Sequence, residues 1–115
     1  MTPRACSLFD TIPVTLQEEL FLTLAEADGV RIERIVSEGH TTPLGEWYEQ
    51  DRDEWVLLVS GGATLLFESN AALVTLLPGE YVLIPAGCRH RVERTDSAQK
   101  TVWLAVHFKL FNHLH

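Results

Sequence analysis

The sequence predicts a small all-β domain, a sandwich or barrel, opened by one short helix. Three observations carry this. Seven short runs rich in β-branched and aromatic residues follow one another from Val30 to Phe108. Clusters of Gly, Pro, Asn, Asp and Ser separate most of them. The chain has 115 residues, 46% apolar and 22% charged, which suits one globular domain and rules out a wholly disordered chain.

The helix is placed first. Thr15-Leu16-Gln17-Glu18 matches a capping box, in which the Thr hydroxyl and the Glu carboxylate each satisfy an orphan amide. Leu16, Leu20 and Leu24 recur every four residues, and Gly29 offers a stop. A helix over about 15–27 follows, its apolar face covering a sheet edge or a barrel end. The strands come next, and they make up a barrel over about 30–108. They are Val30 to Ser37, Trp55 to Ser60, Ala63 to Glu68, Ala72 to Leu77, Tyr81 to Ile84, Arg89 to Thr95 and Thr101 to Phe108. Between them stand a long segment with Gly39 and Thr42-Pro43-Leu44-Gly45, then Ser60-Gly61-Gly62, Ser69-Asn70, Pro78-Gly79, Pro85-Ala86-Gly87 and Asp96-Ser97-Ala98. Pro78-Gly79 fits the centre of a type II turn.

Two strands break the alternation of a half-buried sheet. Trp55 to Val59 is apolar throughout, and so is Leu104-Ala105-Val106. Both faces of such a strand need cover, from the helix, the N-terminal segment or a second copy of the chain. A homodimer is therefore expected.

Composition excludes several functions. Nine Lys and Arg against sixteen Asp and Glu give a formal charge of −7, which argues against nucleic-acid binding through phosphates. No window nears the ~18 consecutive apolar residues of a membrane span. The first ten residues carry no long apolar run, so a secretory signal is not expected and a cytoplasmic location is. Cys6 and Cys88 form neither a disulfide scaffold nor a zinc ribbon and read as two thiols. His113 and His115 form a His-x-His tail that reads as a fraying end.

Two stretches carry a family resemblance. Gly79, five residues, Pro85-Ala86-Gly87, two residues and His90 reproduce the second motif of the cupin superfamily. Glu54, six residues and Gly61 reproduce the end of the first. The family's His-x-His before that Glu is absent. Tyr48 and Gln50 fall there with a three-residue spacer, Trp47 and Glu49 with a four-residue one. The opening Gly is replaced by Thr41 or Thr42, and Arg94 stands where the family often has Asn. The chain thus resembles a small single-domain cupin with a degenerate first metal motif, and the resemblance implies a jelly-roll barrel.

The residues also speak for themselves. Glu54 begins one strand and His90 another, each just after a corner. Strict alternation puts Glu54 with Val56 and Leu58, and His90 with Val92 and Arg94. If both faces line one barrel, a carboxylate and an imidazole meet near its mouth, as a metal or acid–base site. Gln50 could bind a cation or a substrate hydroxyl, and Tyr48 could give a proton at the cavity mouth. His107 would share a face with Trp103 and Ala105 and could bring a second imidazole. Arg94 in the cavity would favour an anionic substrate. His40 could fold over the mouth from its loop. Glu49 and Asp51 read as a solvated acidic loop, Trp47 and Trp55 as packing residues, Arg89 and Arg91 as solvated charges.

Three functions stay open. The resemblance implies a metal-dependent enzyme, a dioxygenase or isomerase acting on a small polar or anionic molecule. Its divalent Fe, Mn, Ni, Cu or Zn would rest on Glu54, His90, Gln50 and His107. The second is a metal-free epimerase or isomerase with His90 as base and Tyr48 as acid. The third is a non-catalytic module binding a sugar or organic acid.

Overall fold

A computed structural model describes residues 1–109; the expected His113 and His115 tail lies outside them. Eight strands form two antiparallel sheets. They are β1 (Leu20–Ala27), β2 (Val30–Ser37), β3 (Asp53–Ser60), β4 (Ala63–Phe67), β5 (Ala72–Leu76), β6 (Tyr81–Ile84), β7 (His90–Thr95) and β8 (Thr101–Phe108). One sheet has the order β1-β2-β8-β3-β6, and the other β5-β4-β7. Among the described residues no helix is long and apolar enough to cross a membrane.

The expected helix over about 15–27 is instead a bend followed by strand β1. Asp28-Gly29 is the reason. Gly29 adopts φ +75°, which turns the chain in two residues and pairs Ala27 with Val30. Asp-Gly between extended runs is a hairpin signal, here taken for a helix stop. No helix starts at Thr15 for a capping box to close, and the Leu16 amide donates to Glu38 Oε1 at 2.9 Å, across the fold.

The core lies between the sheets. Val56 and Leu58 of β3, Ile84 of β6, and Trp103 and Ala105 of β8 pack on Ala63, Leu65 and Leu76 of the smaller sheet. Gly61 turns the chain from β3 to β4. A Cβ there would lie 2.6 Å from the Thr101 Cα, so no other residue fits without moving backbone.

The outer face of the larger sheet is covered in part by the N-terminal segment. Arg34, 2% exposed, points outward and its guanidinium donates to the Leu8 and Asp10 carbonyls. Lys100 donates to the Val14 carbonyl. Farther along, Tyr81 and Leu83 stay exposed, and Trp55 stacks at 5.4 Å on Tyr81.

Candidate active site

The site is one end of the space between the sheets. Pairing across β2, β8, β3 and β6 lays inward-facing residues in rows. Arg31, His107, Glu54 and Ile84 stand side by side at the mouth. The next row holds Glu33, Ala105 and Val56, and the one below it Ile35, Trp103 and Leu58. From the opposite sheet β7 brings His90. Tyr48 joins it through two backbone hydrogen bonds, Tyr48 amide to His90 carbonyl at 2.7 Å and the reverse at 3.0 Å. All of these except Ala105 and Leu58 line a cavity of about 280 Å³.

The corner before His90 is held in place. The buried Asp53 accepts from the Ala86 amide at 2.8 Å, and the Gly87 amide donates to the Gln50 carbonyl at 2.8 Å. The second motif and the segment before β3 are thereby tied together, which fixes His90 relative to Glu54 and Gln50.

Glu54 and His90 meet in the cavity, both nearly buried, with Glu54 Oε1 3.7 Å from His90 Nε2. That gap is too long for a hydrogen bond, and a group bound beside the pair can reach both atoms. The other His90 nitrogen, Nδ1, lies 2.9 Å from the Cys88 carbonyl, which can only accept. Nδ1 therefore carries a hydrogen, and in the neutral ring Nε2 presents its lone pair to Glu54. Burial raises the Glu54 carboxyl above its ordinary value. The charges of His107 and His90 oppose that shift, Glu33 adds to it, and the Gln50 hydrogen bond opposes it.

Gln50 and His107 continue the network. The Gln50 amide donates from Nε2 to Glu54 Oε1 at 3.2 Å. That orientation turns Gln50 Oε1 to His107 Nδ1, 3.0 Å away. His107 Nε2 lies 2.8 Å from Glu33 Oε1. The hydrogen bond from His107 holds the Glu33 carboxyl below its ordinary value, against burial, with help from the charges of His107 and Arg31. Tyr48 stands half-exposed at the mouth. Burial first, then Glu19, Glu54 and Glu46, raise its phenol above the ordinary value, so it stays a hydroxyl donor.

The transition metal implied by the resemblance does not fit this donor set. Both His107 nitrogens face oxygen acceptors, and Gln50 turns its oxygen to His107. Among the described residues no group of three or more His, Cys, Asp or Glu could hold a metal ion. Of the proposed set, Glu54, Gln50 and His107 instead form a hydrogen-bonded chain reaching Glu33, and His90 faces Glu54 from outside it.

Other expected residues lie elsewhere. Arg94 is exposed and outside the cavity. The pairing of β7 with β4 slips between Thr64 and Leu65, so Glu93 is an extra residue, Val92 pairs with Leu65, and Arg94 turns outward. Arg91, expected to be solvated, is buried and donates to the Thr42 carbonyl at 2.9 Å. His40 ties the N-terminal segment down, accepting from the Glu38 amide and donating to the Gln17 carbonyl at 3.0 Å. Glu49 is exposed and faces Arg89 at 3.7 Å. Three charged lining residues escaped the sequence reading, namely Glu19, Arg31 and Glu33. The signal for two of them was present, since Arg31 and Glu33 put two opposite charges on the same face of β2 as Ile35.

No protein-family model and no curated protein matches the chain. Solved structures do. A protein of Ralstonia eutropha JMP134, described as a candidate mannose-6-phosphate isomerase, is 45% identical over 93% of this chain and 99% of its own, with a TM-score of 0.89. A cupin superfamily protein of Desulfitobacterium hafniense DCB-2 is 20% identical over 85% of this chain and 84% of its own, with a TM-score of 0.70. A cupin-2 domain protein of Shewanella frigidimarina NCIMB 400 is 21% identical over 84% and 86%, with a TM-score of 0.63. The last two share the fold alone. With two antiparallel sheets enclosing a cavity, and with these likenesses, the chain has the cupin fold.

Proposed function

We propose that the protein is a metal-independent, isomerase-type enzyme that moves a proton on a small carbonyl compound. The carrying observation is the buried pair of His90 and Glu54, 3.7 Å apart with the His90 Nε2 lone pair turned to the gap. His90 takes a proton from the carbon beside a carbonyl. Glu54, whose carboxyl burial pushes above its ordinary value, gives a proton to the carbonyl oxygen. On a 2-hydroxycarbonyl compound the C–H bond breaks, a C=C bond forms, the C=O bond becomes a C–OH bond, and an enediol results. His90 then gives its proton to the former carbonyl carbon, and Glu54 takes one from the other hydroxyl, whose C–O bond becomes C=O, which restores both groups. Tyr48 donates a hydrogen bond at the mouth, and Gln50 holds Glu54 in place. The likeness to a candidate sugar-phosphate isomerase supports the reaction class.

The test is deuterium exchange. Hydroxyacetone or hydroxyhexanone in D2O should exchange carbon-bound hydrogen at least ~100-fold faster with protein than without, read by proton NMR. His90→Asn and Glu54→Gln should each remove that gain while the folded signal persists. Exchange at the buffer rate with the parent protein sinks the acid–base reading and leaves a binding module.

A further inference from the structure

The cavity also carries information about what it accepts, and that information departs from the phosphorylated sugar in the Ralstonia protein's description. Its floor is apolar. Ile35, Val56, Leu65, Ile84 and Val92 line it with Trp103, whose indole N–H already donates to Ser37 Oγ at 3.2 Å. A polyhydroxylated body on that floor would leave hydroxyls without partners.

The rim is acidic. Glu19, Glu33 and Glu54 all line the cavity, and Arg31 is the one Arg or Lys among the lining residues, facing Glu33 at 3.8 Å. The other arginines near these strands serve elsewhere: Arg34 holds the N-terminal segment, Arg91 holds the Thr42 carbonyl, and Arg94 points outward. A phosphate dianion needs several cationic or amide donors converging on it. Here it would meet the Glu19 and Glu33 carboxylates, with Arg31 already facing Glu33, in a cavity small for a ligand site.

We propose that this cavity takes a small amphipathic molecule, with an apolar body on the floor and an uncharged hydrogen-bonding head between Glu54 and His90, and that it excludes phosphates and carboxylates. The proposal deepens the acid–base reading by naming the substrate class of the same site.

Calorimetric titration of the full chain with hexanol, hexanoate, hexyl phosphate, mannose and mannose 6-phosphate tests it. Hexanol should bind one to one, at least about tenfold tighter than each of the other four. Val56→Phe, which fills the floor, should abolish hexanol binding in protein whose circular dichroism is unchanged. Glu19→Gln should narrow the gap between hexanol and hexanoate. An anion or mannose binding as tightly as hexanol overturns the proposal. So does binding that survives Val56→Phe, or no binding by any member. The parent protein separates the two readings. No exchange with the binding order intact removes only the acid–base chemistry, and a reversed order with exchange intact removes only the ligand class.

Discussion

Replacing Gln50 by Leu tests the hydrogen-bonded chain that stands where a metal would. Gln50 is the middle link, donating to Glu54 Oε1 at 3.2 Å and facing His107 Nδ1 at 3.0 Å. Both neighbours are buried, Glu54 at 7% and His107 at 3% exposure. Leu has nearly the same reach and no polar atom, so the substitution leaves one donor and one acceptor without their partner. Each such group costs roughly 1–3 kcal/mol, and two of them roughly 2–6 kcal/mol. Gln50 is only half-buried, and a polar hollow lined by Glu26, Glu49, Asp51 and Arg52 adjoins it, so water can replace part of the loss. The expected loss is therefore near the lower end, about 2 kcal/mol. With a urea slope of about 1–3 kcal/mol per molar, the midpoint should fall by roughly 1 M. Urea titration followed by tryptophan fluorescence reads this directly. Glu49→Ala, beside it on the exposed surface, should change stability by less than about 0.5 kcal/mol. Combining Gln50→Leu with His107→Phe should show a coupling above about 0.5 kcal/mol. A Gln50→Leu protein as stable as the parent would refute the bridge.

Three further outcomes follow from the same geometry. Gln50→His places a third imidazole beside Glu54, His90 and His107, so this variant should bind Zn or Ni stoichiometrically while the parent does not; elemental analysis after dialysis against each metal decides it, and stoichiometric metal in the parent would contradict the donor-set argument. Glu33 and Glu54 should shape stability against pH in opposite senses. The Glu33 carboxyl is held low, so its contribution is present above the ordinary glutamate value and disappears as pH falls through the lowered one. The Glu54 carboxyl is raised, so its contribution is full below the ordinary value and disappears as pH climbs through the raised one. Thermal melts should accordingly show Glu33→Gln flattening the acid limb, and Glu54→Gln gaining on the parent from acid to neutral pH; parallel curves would oppose both assignments. For the homodimer expected from the apolar strands, light scattering should give twice the chain mass for the parent and the single mass for Leu83→Glu, whose side chain lies exposed beside Trp55 and Tyr81; a monomeric parent ends that expectation.

Much of the fold was legible because it is written locally. The bounds of β2, β6 and β8 follow from short β-rich runs and the turn residues between them, and neither signal needs a distant partner. The spacing from Gly79 to His90 is likewise local, since a fixed count of residues between corners fixes where His90 enters its strand. Glu54 and His90 could therefore be named from the sequence. Strand β1 was not legible in the same way. It is an edge strand, and every residue after Leu20 is exposed, so Leu16, Leu20 and Leu24 report no buried face. Their four-residue spacing imitates a helix, while Asp28-Gly29 and the long-range bond from Leu16 to Glu38 make a hairpin.

The chain's own letters determined an acidic, all-β domain with the Gly79 to His90 spacing and a carboxylate and an imidazole at two strand starts. Tertiary structure alone decided what those groups do. The extra residue in β7 turned Arg94 out of the cavity, and pairing of β2 with β8 brought Glu33 to His107 across 74 positions. Both effects arise because sheet register is a property of two strands together, set by side chains packing between sheets and by backbone pairs that no single stretch of sequence contains.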